Sequence, residues 1–327
     1  MEEEKYSTQK NNDISYERVE TPPLLSCVEK NGFSHWALAF AWMLFGLIAF
    51  QVVANVLALI FILPHVSDPT NADALMVAIQ ENLNSTFVAN SIGQFLVIGL
   101  ASYLISKVHA PKGKHHEFLR LKGAPKLGLN TGLSILLLVS SWGVVNFLGW
   151  LNMGFIDWLI SVFPALELIK ELQQQMAELI TSFIKTENSL FYGLIYIALV
   201  PAIFEEIMFR GYIQRALEKS WGVWAAMIVS SLMFGAYHLQ AGAVLPLAFI
   251  GFVLAYVTYI SDSLIPAMVL HFINNGSQVV YGSLNPEFLE QTASSDIGMP
   301  WGIVILSMII CPALFLLMHK LNPKRQL

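Results

Sequence analysis

The sequence predicts an all-α, polytopic membrane helical bundle with about eight transmembrane helices, and three observations lead to this fold class. First, the chain of 327 residues is 55% hydrophobic and only 13% charged, whereas a soluble domain carries about 25% charged residues. Second, its apolar segments reach about 20 residues, the length that an α-helix needs to cross the hydrocarbon core. Lipid cannot satisfy unpaired backbone groups, and these segments are too long for barrel strands, so helices are expected.

The predicted spans follow one another along the chain with short polar connections. They cover residues 36–63, 87–106, 127–148, 189–218, 222–238, 243–260, 264–281 and 301–319.

The third observation is that lysine and arginine alternate between the two ends of the predicted spans. One end holds the basic residues of both termini, of the segment after the second span and of the corner between the fourth and fifth spans: Lys5, Lys10, Arg18, Lys30, Lys107, Lys112, Lys114, Arg120, Lys122, Lys126, Arg215, Lys219, Lys320, Lys324 and Arg325. Only Lys170 and Lys185 depart from this pattern. Because cytoplasmic loops carry an excess of basic residues, an even number of spans with both termini in the cytoplasm is expected.

Composition divides the chain into five parts. A polar cytoplasmic tail is predicted over 1–33, the first three spans over 34–160, an amphipathic helix over 161–188, a polar-residue-bearing core over 189–285, and the last span with a basic tail over 286–327. The tail lacks the basic start and apolar core of a secretory signal.

Cys27 and Cys311 are too far apart in the chain to suggest a disulfide framework.

The predicted amphipathic helix is recognised by its periodicity. Apolar residues recur at helical spacing, and they are Leu166, Ile169, Leu172, Met176, Leu179, Phe183 and Ile184. Two placements fit equally well: the helix lies on the outer membrane surface, or it packs over the bundle.

Three polar clusters fall inside the apolar segments, where charged groups are costly and commonly functional. They read Glu205-Glu206-x-x-x-Arg210, Phe234-x-x-x-His238 and His271-x-x-x-Asn275. At 1.5 Å per residue from the cytoplasmic helix ends, Glu205 lies about 21 Å deep, His238 about 24 Å and His271 about 12 Å. We therefore expect three spans to bring these clusters to one buried site.

These residue types suit the attack of water on an amide carbonyl. Glu206 and Arg210 are spaced to form an ion pair on one helix face, which leaves Glu205 free to face a cavity. A glutamate in a dry site is a suitable general base, and a neighbouring histidine can hold the same water. A second histidine with an asparagine can donate hydrogen bonds to a developing oxyanion.

In this order, the three motifs resemble those of the CPBP (CAAX protease and bacteriocin-processing) family, which includes the type II CAAX prenyl endopeptidases. The resemblance covers roughly residues 190–285. It implies an intramembrane endopeptidase of glutamic type that acts on a membrane-associated or lipidated peptide or protein. The resemblance implies that Glu205 and His238 activate the water molecule. It implies that His271 and Asn275 form the oxyanion hole. The residues implied to support the site are Glu206, Arg210 and Phe234.

No cofactor is expected, because the chain contains no His-Glu-x-x-His motif, although Glu205, His238 and His271 are residue types that could ligate zinc. The expected partners are membrane lipids and a peptide or protein substrate, and no nucleic acid. A bacterial cytoplasmic membrane is the expected location. The substrate's identity and its side of entry stay open.

Two other functions are compatible with polar residues in a membrane bundle. A transporter would also place Glu, Arg and His at depth, but no inverted repeat of the kind common in transporters is visible. A non-enzymatic immunity or scaffold protein would retain such a cluster as a relic.

Overall fold

The computed structural model describes residues 25–123, 126–186, 188–285 and 299–323, and this part of the chain is helical and contains no strand. The main helices, in chain order, are α1 (His35–Ile62), α2 (Leu83–His109), α3 (Leu127–Val162), α4 (Leu168–Ile184), α5 (Ser189–Trp221), α6 (Val223–Tyr237), α7 (Val244–Ser261), α8 (Ile265–Leu284) and α9 (Trp301–Leu321). The predicted all-α membrane bundle is confirmed.

Six helices in the described ranges are long and apolar enough to cross a membrane: α1, α2, α3, α5, α7 and α9. The other two predicted spans are also helices. However, α6 has only 15 residues, and α8 has 20 residues and carries the polar His271 motif. The bundle therefore combines six long spans with two helices that are shorter or more polar.

Helix α3 is much longer than the predicted span over 127–148, and the reason lies in Asn152. Its carboxamide donates to the carbonyl of Ala241 at 2.7 Å and accepts from the amide of Leu245 at 2.9 Å. Asn152 is thus satisfied against the start of α7, and the helix continues to Val162.

Three short helices were not predicted: Cys27–Lys30, Ala72–Glu81 and His115–Phe118. The first of them falls within the predicted polar tail over 1–33, of which residues 1–24 lie outside the described part of the chain. Residues 286–298 and the basic C-terminal residues Lys324 and Arg325 also lie outside it.

The predicted amphipathic helix is present as α4, and its placement on the membrane surface stays a prediction. Near its C-terminal end, Phe183 is buried and lies 4.2 Å from the ring of Phe87 on α2. At its N-terminal end, Leu168 and Leu172 are exposed. The helix is therefore anchored to the bundle at one end and presents apolar side chains outward at the other.

Charged groups tie several connections together at one end of the bundle. Lys219 at the end of α5 forms an ion pair with Glu29 of the N-terminal segment at 3.1 Å. Arg120, in the segment after α2, forms ion pairs with Glu218 at 3.0 Å and with Asp262 of the α7–α8 turn at 3.2 Å. These connections were predicted to share the cytoplasmic side, and the side of the membrane that they face stays a prediction.

Helix α5 lies at the centre of the helices that carry the polar motifs, in contact with α1, α2, α6 and α8. Beside it, α6 and α7 pack closely through glycine. A Cβ added to Gly235 would lie 2.5 Å from the carbonyl oxygen of Val244. Small residues allow this backbone approach between membrane helices. Helix α6 also contacts α5, and His238 follows its last residue.

Candidate active site

The backbone of α5 departs from α-helical geometry on both sides of its acidic pair. Residues Leu194–Leu199 and Ile207–Ile213 form π-helical stretches around the α-helical turns Val200–Glu206. Pro201 lies at the start of these turns and has no N–H for the preceding turn. Such widened turns are frequent at functional sites, and here they flank Glu205 and Glu206.

Glu206 is the fully buried anchor of the cluster. Its Oε1 accepts a hydrogen bond from Nη1 of Arg210 at 2.8 Å, so the predicted ion pair is present. The same oxygen lies 2.8 Å from Nδ1 of His271 on α8. Because a carboxylate oxygen only accepts, Nδ1 of His271 carries a proton and donates it. One buried carboxylate thus fixes both a guanidinium and an imidazole.

Arg210 has further neighbours besides Glu206. Its Nη2 donates to the carbonyl of Gly251 on α7 at 3.1 Å. Its guanidinium carbon lies 4.3 Å from the centre of the Phe234 ring, a cation–π contact. Arg210 therefore connects α5 to both α6 and α7.

Glu205 faces the two histidines. Its Oε2 lies 4.0 Å from Nε2 of His238 and 3.9 Å from Nε2 of His271. These distances are too long for direct hydrogen bonds, and Oε2 of Glu205 is buried without a hydrogen-bond partner. The structure therefore brings three of the four predicted catalytic side chains together, from three different helices.

The orientation of His238 is fixed by the backbone of its own helix. Its Nδ1 lies 2.8 Å from the carbonyl oxygen of Phe234, which can only accept, so Nδ1 is the protonated nitrogen. In the neutral ring, the lone pair of Nε2 then points towards Glu205. His238 is also the most accessible of these side chains, 25% exposed against 11% for Glu205 and 3% for His271.

The ring of Phe234 fills the space between the charged groups. It lies edge-to-face with the rings of His238 and His271, with 4.7 Å and 5.9 Å between the respective ring centres. Phe234 is buried, and its ring contacts Arg210 as well as both imidazoles.

Asn275 is placed differently from the other predicted catalytic residues. Its Nδ2 donates to the carbonyl of Ile197 at 3.0 Å, in the π-helical stretch that precedes Glu205. Its Oδ1 accepts from Nδ2 of Asn274 at 3.0 Å. Asn275 thus ties α8 to α5 and uses one of its two amide hydrogens to do so.

The contact between His271 and Glu206 was missed by the sequence reasoning, which gave Glu206 only Arg210. Spacing along one helix reveals the Glu206–Arg210 pair, but it does not give the rotation of α8 about its own axis. The only signal available was that an aspartate or glutamate commonly orients a functional histidine through its second ring nitrogen.

The charges of the cluster nearly balance. Two buried carboxylates face one guanidinium, which leaves one excess negative charge when both histidines are neutral.

Metal ligation was considered for the same residues. In the described part of the chain, no group of three or more His, Cys, Asp or Glu side chains is arranged to hold a metal ion. The expectation that no cofactor is needed stays a prediction.

Comparison with known proteins identifies the domain that carries this cluster. Residues 187–277 match the family model described as type II CAAX prenyl endopeptidase Rce1-like. Residue 187 lies outside the described ranges, and the rest of the match runs from α5 into α8. Searches of curated proteins and of solved structures gave no match. The resemblance to the CAAX proteases is thus confirmed over residues 187–277, where this integral membrane protein is similar to the Rce1-like type II CAAX prenyl endopeptidases.

Proposed function

We propose that the protein hydrolyses a peptide bond of a membrane-associated or lipidated peptide or protein, with a water molecule activated by Glu205 and His238. The observation that carries this proposal is the 4.0 Å separation between Oε2 of Glu205 and Nε2 of His238. Both atoms are hydrogen-bond acceptors when the carboxylate is ionised and the imidazole is neutral. A water molecule admitted between them would donate one hydrogen to each, and its oxygen lone pair would stay available for attack.

The chemical step follows from this arrangement. The water oxygen attacks the carbonyl carbon of the scissile peptide bond while Glu205 accepts one water proton. The product is a tetrahedral intermediate with a negatively charged oxygen. When the carbon–nitrogen bond breaks, the proton held by Glu205 passes to the departing amine, which leaves a carboxylic acid on the other fragment. No covalent bond to the protein is formed.

The negatively charged oxygen of the intermediate needs hydrogen-bond donors. We propose that His271 is one of them, through Nε2, when its ring carries a second proton. Glu206 accepts from Nδ1 of the same ring, which holds the ring with its Nε2 towards Glu205. The free amide hydrogen of Asn275 would be the second donor. Donors of this kind are each worth about 10²–10³-fold in rate.

A substrate held in the lipid is consistent with where these groups lie. The matched family is described as prenyl endopeptidases, and a prenyl chain would anchor a peptide to the membrane. The match to an endopeptidase family also makes a transporter or a non-enzymatic scaffold the weaker alternative.

The test uses purified protein and a farnesylated, fluorescently labelled peptide that ends in a Cys-a-a-X sequence, next to the same peptide without the lipid. Glu205→Gln and His238→Ala are expected to abolish cleavage without lowering the thermal unfolding temperature. The matched control is Glu178→Gln, on the polar face of α4, which should cleave like the unaltered protein.

If both site variants turn over a substrate as fast as the unaltered protein, the proposed chemistry is wrong. If the unaltered protein cleaves neither peptide, Glu205→Gln serves as a trap. Material bound to it in membranes, identified by mass spectrometry, would then supply the substrate for the same comparison.

A further inference from the structure

Asn274 and Asn275 are neighbours in α8, and their side chains are hydrogen-bonded to each other. Nδ2 of Asn274 donates to Oδ1 of Asn275 at 3.0 Å. Successive residues of a helix point about 100° apart, so adjacent side chains do not ordinarily face each other. This contact is therefore unusual for two neighbours in a helix, and the motif His271-x-x-x-Asn275 gives Asn274 no role.

The other end of the Asn275 carboxamide is held by α5. Its Nδ2 donates to the carbonyl of Ile197 at 3.0 Å. In an α-helix, this carbonyl would accept from the N–H four positions further on, but that position is Pro201, which has no N–H. Asn275 thus bonds to a carbonyl that Pro201 cannot serve. Because a carbonyl oxygen only accepts, the contact also fixes which end of the carboxamide carries the hydrogens.

Two contacts are needed to fix the direction of the second N–H of Asn275. With the bond to Ile197 alone, the carboxamide could turn about the line from Nδ2 to that carbonyl oxygen, and the second N–H would turn with it. The bond from Asn274 holds Oδ1 as well, and an amide is planar, so the direction of the second N–H is then set. A donor on Oδ1 also polarises the amide and strengthens the hydrogen bond that its N–H can make.

That direction matters because the proposed oxyanion has few donors. Nδ1 of His271 is already bonded to Glu206, so His271 can donate to an oxyanion only from a doubly protonated ring. The second amide hydrogen of Asn275 needs no such change of protonation. A hydrogen bond to the oxyanion contributes most when its donor is already aimed at the place where the charge develops.

We infer that Asn274 is a positioning residue for the reaction, which holds the carboxamide of Asn275 so that its second N–H points at the developing oxyanion. The inference rests on the proposed function, in which Asn275 supplies that hydrogen bond. Asn274 acts through Asn275, so the effect of removing Asn274 on the rate should vanish when Asn275 is already absent. A polar contact that only holds α8 against α5 would not behave in this way.

The experiment is a double-variant cycle of Asn274→Leu and Asn275→Ala, measured with the peptide that the unaltered protein cleaves. Leucine has nearly the shape of asparagine but no donor. Asn274→Leu is expected to lower kcat about 10–10²-fold with KM nearly unchanged, because a small misplacement of a catalytic group can cost about 10²-fold. Asn275→Ala is expected to lower kcat about 10²–10³-fold. The double variant should be no slower than Asn275→Ala alone, since the two residues act as one unit.

Asn146→Leu is the matched control. Asn146 is also a half-buried asparagine in a long helix, but its Nδ2 donates to the carbonyl of Trp142 in its own helix, α3, at 2.8 Å. The same substitution there is expected to keep the kcat of the unaltered protein.

A second measurement separates positioning from packing. A phosphinate analogue of the same peptide carries its negative oxygen where the tetrahedral intermediate does. Asn274→Leu should weaken binding of the phosphinate by about the factor lost in kcat. It should leave binding of the uncleaved peptide in a Glu205→Gln background unchanged.

The outcomes distinguish this inference from the proposed function. If Glu205→Gln is inactive while Asn274→Leu keeps the kcat of the unaltered protein, the inference is overturned and water activation by Glu205 stands. The same holds if the losses of the two single variants multiply in the double variant, or if Asn274→Leu changes only KM or the unfolding temperature. If Glu205→Gln remains active, the proposed function itself has failed.

Discussion

Replacing Glu206 by alanine should destabilise the protein more than most single substitutions. The carboxylate is fully buried, and its Oε1 is bonded both to Arg210 and to His271 at 2.8 Å. Its removal leaves the guanidinium of Arg210, 1% exposed, without a directly bonded carboxylate. Breaking a buried ion pair from one side costs about 3–5 kcal/mol. We expect the lower end, about 3 kcal/mol, because Arg210 keeps its bond to Gly251 and its contact with the Phe234 ring.

Thermal unfolding in detergent measures this effect. At about 2–4 °C per kcal/mol, a loss of 3 kcal/mol corresponds to a fall in Tm of about 6–12 °C. Glu206→Gln removes the same negative charge but keeps nearly the same volume, so it should also cost about 3 kcal/mol. A much smaller fall in Tm for Glu206→Gln than for Glu206→Ala would assign the loss to volume rather than to charge.

The double variant Glu206→Met/Arg210→Met decides whether the cost comes from unpaired charge. Replacing both members of a buried pair by apolar side chains is frequently close to neutral, so the double variant should be more stable than the sum of the single changes. An unchanged Tm in Glu206→Ala, or strictly additive effects in the double variant, would refute this electrostatic reasoning.

Other perturbations test the framework around the site. Arg120→Ala should lower Tm by about as much as Glu206→Ala, because it removes a buried two-point contact with Glu218, whereas Lys114→Ala, in an exposed pair, should leave Tm unchanged. Gly235→Ala should reduce both the cleavage rate and Tm, because the added Cβ would lie 2.5 Å from the backbone oxygen of Val244 and force α6 away from α7. An unchanged cleavage rate would show that the close packing of α6 on α7 is not needed for the site. Incubation with EDTA followed by gel filtration should leave cleavage unaffected, and a loss that zinc restores would show that a metal is required.

The parts of the site that follow from a single helix could be predicted from the sequence. Apolar length gave the position of α5 to within a few residues. The spacing of Glu206 and Arg210 gave their ion pair, because residues four apart share a helix face. Depth counting gave the meeting of α5, α6 and α8, because the rise per residue is nearly constant.

The contacts that depend on helix rotation or on backbone atoms could not be predicted. The bond from His271 to Glu206 depends on how α8 turns towards α5. Asn275 and His238 bond to carbonyl oxygens, which every residue offers, so the sequence cannot single out the acceptor. The length of α3 was underestimated for a similar reason, since Asn152 is satisfied by the backbone of a distant segment.

The most direct test of the central claim is the single-turnover cleavage rate of Glu205→Gln beside that of Glu206→Gln, at equal saturation with the same farnesylated peptide. The two residues are adjacent and the substitutions identical, but only Glu205 faces both Nε2 atoms of the histidine pair. Loss of a general base predicts a rate about 10²–10⁴-fold lower for Glu205→Gln at unchanged Tm. A Glu205→Gln rate equal to that of the unaltered protein would contradict a water-activating role for this carboxylate.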